Sequence, residues 1–357
     1  FEIVISSKNL FKFVKKYLPM QYADFKYIAP MSVKDFLSEH QETLINLLYD
    51  QTADLDDQYA ELSSMYMHVL HMSSSSYDQL NKLDQFPYSA DEVVKFVNAS
   101  WDESAGQFGA YEGADGHVNE TFFCFQALLT LGLFRQIVSP EMARRIHEST
   151  AKLVTESGEV CGDLIFRGVD TRFSFSAVCI FQTLKKVFQL EPPRDKLGLV
   201  QQNVLRCYFD GCFSASPGQE AHAANTYVCF CTLHLLEYSF PADMLREITF
   251  QILKLQSQQG GFSGRPEKLP DSCYSQWCAQ TLRIIARLSG KDFGPVFARL
   301  KLFLFQCYDA DNGGFADREG NMADIWHTHF SMSFLSGLED SGLNKVCEVW
   351  DIREIRK

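Results

Sequence analysis

The chain has 357 residues, of which 46% are hydrophobic, 13% aromatic and 22% charged, with a formal net charge of -12 and a pI near 5.2. An acidic chain offers no global field to draw in nucleic acid or an anionic membrane, so an anionic substrate has to be held by local cations. No apolar run approaches eighteen residues, and FEIVISSKNLFKFVKK lacks an apolar h-region with a small-residue cleavage site, so no membrane span is expected and a cytoplasmic location is. Eleven cysteines without a CxxC pair, mostly inside apolar runs, read as reduced buried thiols rather than disulfides.

In chain order, residues 1–50 carry LFKFVKKYL and VKDFLSEHQETLINLLY, amphipathic helical pieces split by Ala29-Pro30, and are set apart as a helical extension. Residues 51–357 are expected to form one domain. It opens on a helix in QYAELSSMYMHVLH and, after the polar link SSSSYDQLNKLDQFPY, a second in SADEVVKFVNASW. Beyond Trp101 a repeat sets in: a small-residue turn, a polar loop and an apolar helix, anchored at Phe108, Val160, Phe213, Phe262 and Phe315 in steps of 52, 53, 49 and 53 residues. Thirteen residues past each anchor lie Thr121, Phe173, Thr226, Ser275 and Thr328, each at the start of its apolar helix.

Amphipathic helices alternate with these: SPEMARRIHESTAKLV, PRDKLGLVQQNVLRCYF, PADMLREITFQILKL and FGPVFARLKLFLFQC, several with Pro near the first helical position. A helix apolar all round needs neighbours on every side. With the first pair as a degenerate unit, about six apolar helices form an inner ring sheathed by six amphipathic ones. The expected fold is all-α, an α/α toroid (a six-fold α-α barrel) of helix-pair repeats; an open superhelix of the same pairs is the competitor.

Residues at one phase of a repeat come to one end of the ring. The phase before each apolar helix collects Arg172, His222, Arg265, Lys268, Asp271, Cys273, Tyr274 and His327. Helix N-termini with orphan N–H groups there favour anions. Asp271 and Cys273 supply a carboxylate and a thiolate, and His327, in the next repeat, an imidazole: three ligands with a fourth position open is the catalytic zinc pattern. His222, Arg265, Lys268 and Tyr274 are suited to binding a diphosphate and stabilising it as it leaves. Phe122, Phe123, Phe173, Phe175, Tyr227, Trp277, Trp326 and Phe330 make an apolar wall below, and His329 is expected as a hydrogen-bonded histidine under the ring.

The segments GGFSGRPEKLPDSCYSQW, GGFADREGNMADIWHT, EAHAANTY and VDTRFSF resemble the signature loops of protein prenyltransferase β subunits, most closely those of the Rab (type II) geranylgeranyl enzymes, over roughly residues 58 to 340. The resemblance implies Zn2+ on Asp271, Cys273 and His327, activating an acceptor cysteine towards C1 of geranylgeranyl diphosphate. It implies diphosphate and lipid contacts from His222, Ala223, Ala224, Arg265, Pro266, Glu267, Lys268, Tyr274, Ser275, Gln276, Trp277 and Arg172. Ser63, Phe175 and Phe330 would shape the lipid pocket, Ser63 standing near the place where farnesyl enzymes carry Trp. Asp317 resembles the carboxylate that farnesyl and Rab enzymes use with Mg2+. The implied partners are a prenyltransferase α subunit in a heterodimer and a Rab GTPase presented by its escort protein. The alternatives are a type I geranylgeranyl or farnesyl β subunit acting on CaaX proteins and a non-catalytic protein-binding toroid. A terpene cyclase or glycosidase is disfavoured by the lack of a DDxxD run or a carboxylate pair at the mouth.

Overall fold

The computed structural model describes residues 31–53, 65–350 and 352–353. LFKFVKKYL, Ser63 and residues 58–64 of the expected first apolar helix lie outside them. In chain order the described helices are α1 (Val33–Glu39), α2 (Gln41–Ala53), α3 (Tyr66–Gln79), α4 (Ala90–Ala99), α5 (Val118–Leu131), the single turn α6 (Phe134–Ile137), α7 (Pro140–Leu153), α8 (Thr171–Phe188), α9 (Arg194–Arg206), α10 (Ala223–Leu235), α11 (Ala242–Lys254), α12 (Ser272–Ser289), α13 (Gly294–Gln306) and α14 (Ile325–Ser336).

Helices α3, α5, α8, α10, α12 and α14 each pack on the next, and α14 packs on α3, so the ring closes and the open superhelix is excluded. The family of amphipathic helices sheathes it: α7 lies on α8, α9 on α8 and α10, α11 and α13 on α12, and α2 on α3 and α14. Residues 41–50, grouped above with the extension, are therefore part of an outer helix beside the ring.

The repeat phase has a physical origin. Two residues before each anchor stands a glycine at positive φ: Gly106, Gly158, Gly211, Gly260 and Gly313. These turns press against the backbone of an outer helix. A Cβ at Gly158, Gly260 or Gly313 would lie 2.1, 2.3 or 2.3 Å from the carbonyl oxygen of Leu199, Arg299 or Thr43, so both the dihedral and the space demand glycine. The anchors Phe108, Phe213, Phe262 and Phe315 are fully buried, each contributing about 2–3 kcal/mol of apolar burial. Their backbone N–H groups donate to the hydroxyls thirteen residues on, Thr121 (3.0 Å), Thr226 (3.0 Å), Ser275 (2.8 Å) and Thr328 (2.9 Å).

The second unit departs from this register. Its inner helix is capped by Asp170, ten residues past Val160 rather than nine, because the Leu164-Ile165-Phe166-Arg167 loop holds one more residue. The buried Ser174, not Phe173, occupies the hydroxyl position, and its Oγ has no hydrogen-bond partner. A second correction concerns Ser73 to Ser76: they are not a link but the interior of α3, all four buried. Small side chains let α3 sit close to its neighbours, and the Ser74 hydroxyl donates back to the His71 carbonyl (3.0 Å).

Neighbouring units are stitched at the helix N-termini. The first helical N–H groups of α5, α8, α10 and α12 donate to the carbonyls of Gly162, Ala215, Gly264 and Asp317 in the following unit, at 2.9 to 3.0 Å. At α14 the Ile325 N–H donates instead to Oε1 of Gln51 on α2 (2.7 Å). The other end of the ring is crossed by the segment after α14. Asn344 binds the carbonyls of Gln79 and Asp78 (2.8 and 2.6 Å), Gln126 donates to Trp350 O (2.5 Å), and Tyr227 donates to Glu348 O (3.0 Å).

Candidate metal centre and active site

Five of the six inner helices open on a histidine or aspartate cap whose side chain accepts a backbone N–H of the first turn: His117, Asp170, His222, Asp271 and Asp324. The second and third positions after the cap then stand around one mouth. Cys273 and Tyr274 occupy them on α12, and His327 the third on α14.

Asp271, Cys273 and His327 each bring one ligand atom within 4.8 Å of the other two. Asp271 Oδ1 accepts the Cys273 N–H (2.7 Å) and lies 3.6 Å from His327 Nε2. The two helices are locked together by Ser272, whose N–H and Oγ donate to the carbonyls of Asp317 and Ala316, each at 2.9 Å. Sulfur, imidazole nitrogen and carboxylate oxygen, half-buried and with a position to spare, are a donor set that suits a catalytic divalent ion. Burial, and then the Asp271 carboxylate, push the Cys273 thiol far above its usual range, so thiolate ligation needs a cation beside it.

Sequence reading missed Asp324. Its Oδ2 meets His327 Nδ1 at 2.5 Å while its Oδ1 caps the helix on His327 N–H (2.9 Å). Burial alone would lower the His327 pKa, but the hydrogen bond and charge of Asp324, with Asp271 and Asp317, raise it. Nε2 is thereby left facing the metal position. The signal was available: Asp324 stands at the same cap phase as Asp271.

Beside the metal position, His222 Nδ1 accepts the Ala224 N–H (3.2 Å), which leaves Nε2 as the donor. Burial, and then the Arg265 charge, hold this imidazole below its ordinary pKa. The ring meets Tyr274 edge-on at 5.0 Å. Arg265 reaches the mouth paired with Glu220 (2.5 Å), and Lys268 in the same loop is exposed, as are Pro266 and Glu267. Arg172 turns to its own cap, binding Asp170 through Nε (3.0 Å) and Nη2 (2.9 Å).

Three expected contacts are placed otherwise. Ser275 is fully buried, its hydroxyl taken by Phe262 N–H and Asp271 O; Gln276 is buried; Ala223 is buried with its N–H on Gly264 O. Asp317 binds Asn321 Nδ2 (2.7 Å) and pairs with Arg318 (2.6 Å); burial works against its ionisation, yet these contacts and His327 hold its pKa below the usual value.

Rings form a nearly continuous belt below the mouth. Tyr274, Trp277 and Phe330 follow one another at 5.6 and 5.2 Å, and Phe123, Phe122, Phe175 and Tyr227 at 5.2, 5.5 and 6.2 Å. Trp326, expected in this wall, packs with Phe330 on the cluster of Leu48, Val69 and Ile325.

The model of the prenyltransferase alpha-alpha toroid domain matches residues 40–352. The geranylgeranyl transferase type-2 subunit beta of Saccharomyces cerevisiae is 33% identical over 251 residues, 69% of this chain and 73% of its own length. The geranylgeranyl transferase type-1 subunit beta of Arabidopsis thaliana is 29% identical over 190 residues, half of this chain and 48% of its own length. Among solved structures, Candida albicans protein geranylgeranyltransferase-I complexed with GGPP superposes with a TM-score of 0.72 at 18% identity, over 87% of this chain and 95% of that one. This closed ring of paired helices thus belongs to the prenyltransferase α-α toroid family. Within that family it is a protein prenyltransferase β subunit, and so part of an enzyme.

Proposed function

We propose that this chain is the catalytic β subunit of a type II geranylgeranyltransferase, which transfers a geranylgeranyl group from geranylgeranyl diphosphate to C-terminal cysteines of Rab GTPases. The observation that carries it is the convergence of Asp271, Cys273 and His327 beside Tyr274, His222 and Arg265 over a belt of aromatic rings. The type-2 relative, which matches over more than two thirds of both chains, supports the subclass.

Asp271, Cys273 and His327 would hold zinc, which when bound lowers the pKa of an acceptor thiol. The funnel between Phe175, Tyr227, Trp277 and Phe330 takes the prenyl chain and excludes water from C1. The sulfur–C1 bond forms as the bond from C1 to the diphosphate oxygen breaks, and the diphosphate leaves with that electron pair. His222 Nε2–H, Arg265, Lys268 and the Tyr274 hydroxyl stabilise the departing charge. Glu220 holds Arg265 ready and gives it up to the diphosphate. Arg172 joins them only by exchanging Asp170 for substrate. Asp317 takes magnesium only by exchanging its Arg318 partner. Ser63 falls outside the described residues; its small side chain would leave room for the fourth isoprene. An α subunit and an escort protein complete the assembly, in the cytoplasm. Among the described residues no helix is long and apolar enough to cross a membrane.

A second reading, a type I subunit acting on CaaX proteins, is favoured by the type-1 relative and by the GGTase-I superposition. The heterodimer should be offered farnesyl or geranylgeranyl diphosphate against a Rab with escort protein or a CaaX peptide. Geranylgeranylation of the Rab is expected; transfer to the peptide alone overturns the type II reading. Cys273→Ala should abolish transfer and bound zinc while leaving the diphosphate lipid bound, and equal activity in a zinc-free variant would refute the metal's role.

A further inference from the structure

The funnel wall is not apolar all the way round. Across α14, α3 and α5 the belt of rings runs through histidines: Phe330 meets His329 at 5.4 Å, His329 meets His71 at 5.2 Å, and both His71 and His68 lie against Phe123, at 5.5 and 4.0 Å. His68 and Glu120 stand third in α3 and α5, the phase that Tyr274 and His327 hold in α12 and α14. The four therefore share one level of the mouth. His68 Nε2 meets Glu120 Oε1 at 2.9 Å, and both side chains keep some exposure, 17% and 13%.

Two polar atoms of this arc are left over. Glu120 Oε2 is buried without a hydrogen-bond partner, and so is Nδ1 of His71, a residue only 2% exposed. A buried carboxylate oxygen or imidazole nitrogen left unpaired has lost its hydration without a hydrogen bond in return, a net cost to the fold. A hydrocarbon chain could not relieve that cost. The opposite arc, α8 to α12, offers a hydrocarbon chain Phe175, Tyr227 and Trp277, and the metal position lies where the two arcs meet, between α12 and α14. The two substrates thus have walls of opposite chemistry.

We propose that the arc of His68, His71, Glu120 and His329 is a specificity surface for the acceptor polypeptide, receiving a hydrogen-bond-donating side chain (Lys, Arg, Gln or Asn) next to the reacting cysteine, while the prenyl chain lies between the α8 to α12 arc and Phe330. Such a residue gives Glu120 Oε2 the donor it lacks, and a leucine at that place leaves it unpaired. Discrimination of this kind works by leaving a buried polar group unsatisfied when the wrong side chain binds. This inference rests on the prenyl-transfer reading above.

The test uses the zinc-loaded heterodimer and geranylgeranyl diphosphate. Acceptors are a Rab GTPase with escort protein and a CaaX peptide, each made with Lys, Gln, Ser or Leu beside the reactive cysteine. For the wild type, kcat/KM should rank Lys and Gln above Leu by about tenfold, one charge-assisted hydrogen bond. Glu120→Leu should erase or invert that ranking while the dissociation constant of the lipid diphosphate stays within about twofold. Glu120→Gln and His71→Leu, closer in shape, carry the same test should Glu120→Leu not fold, and are expected to reduce the preference. An unchanged ranking in the variants, a wild type indifferent to the neighbouring residue, or a loss confined to lipid affinity overturns the proposal. Transfer to none of the acceptors overturns the prenyl-transfer reading itself, and this inference with it.

Discussion

Asp324 serves two functions within one helical turn, capping α14 through Oδ1 and orienting His327 through Oδ2. A carboxylate behind a metal-ligating histidine fixes its tautomer and raises its basicity, and losing it typically costs 10–100-fold in metal affinity. Asp324→Asn should therefore weaken zinc binding by about 10–100-fold in a chelator competition, with the fold intact because Asn still caps. Unchanged zinc affinity would show that His327 is positioned by packing alone. The candidate ligands themselves were legible, since a carboxylate, a thiol and an imidazole at one repeat phase stand out from an apolar background. Arg172 was legible as a cation but not as one already bound to its neighbour Asp170, and Ser275 was legible as polar but not as a hydroxyl consumed by the anchor. Pairing is decided by side-chain rotamers and neighbours in space, to which residue type is blind.

At the scale of elements, five glycines, five anchors and four hydroxyls make each turn-and-helix unit a local solution to the same packing problem. Gly260 makes the point most sharply, with φ at +104° and the Arg299 carbonyl directly behind it. Gly260→Ala should destabilise the subunit by about 2 kcal/mol or more, through the strained dihedral and the displaced α13, read as a lowered denaturation midpoint. An unchanged midpoint would mean the turn relaxes freely. The unit that breaks register is informative. Counting thirteen residues from Val160 reached Phe173, but the extra residue in the preceding loop slides the hydroxyl position to Ser174. Uniform spacing in sequence does not exclude a local insertion, since two compensating shifts leave the mean step unchanged. The serine run of α3 was misread for a related reason: intrinsic preference makes four serines a poor helix, whereas burial between α14 and α5 makes small residues the ones that fit.

For the molecule as a whole, closure is the event that creates the site, because the ligands on α12 and α14 and the histidine arc on α3 face one another only in a ring. Gln51 completes the stitching between α14 and α2, taking Ile325 N–H and reaching Ala323 O (3.3 Å). Gln51→Ala should increase hydrogen exchange at Ile325 and its neighbours in α14 selectively, and uniform exchange behaviour would refute a closing role. At the far end, Glu348 is buried, which opposes its charge, but Arg287 at 2.6 Å more than compensates, so its pKa is held below the usual carboxylate value. A depressed acid stabilises the fold above its unfolded pKa and loses that contribution as pH falls through the folded value. Stability should thus drop below about pH 4.5, and Glu348→Gln should flatten that drop while lowering stability at neutral pH; an acid-unfolding curve identical to the wild type would rule this out.

By itself the sequence determined the repeat, the alternation of wholly apolar and amphipathic helices, and the three candidate metal ligands. These follow from periodicity and residue type, which act through the chain's own local geometry. Only the tertiary structure decided that the ring closes with α2 beside α14, that Asp324 stands behind His327, and that one arc of the funnel wall is polar. Each of these depends on contacts between residues more than fifty positions apart or on which face a side chain takes, and such contacts are fixed by packing of the whole molecule rather than by any local pattern.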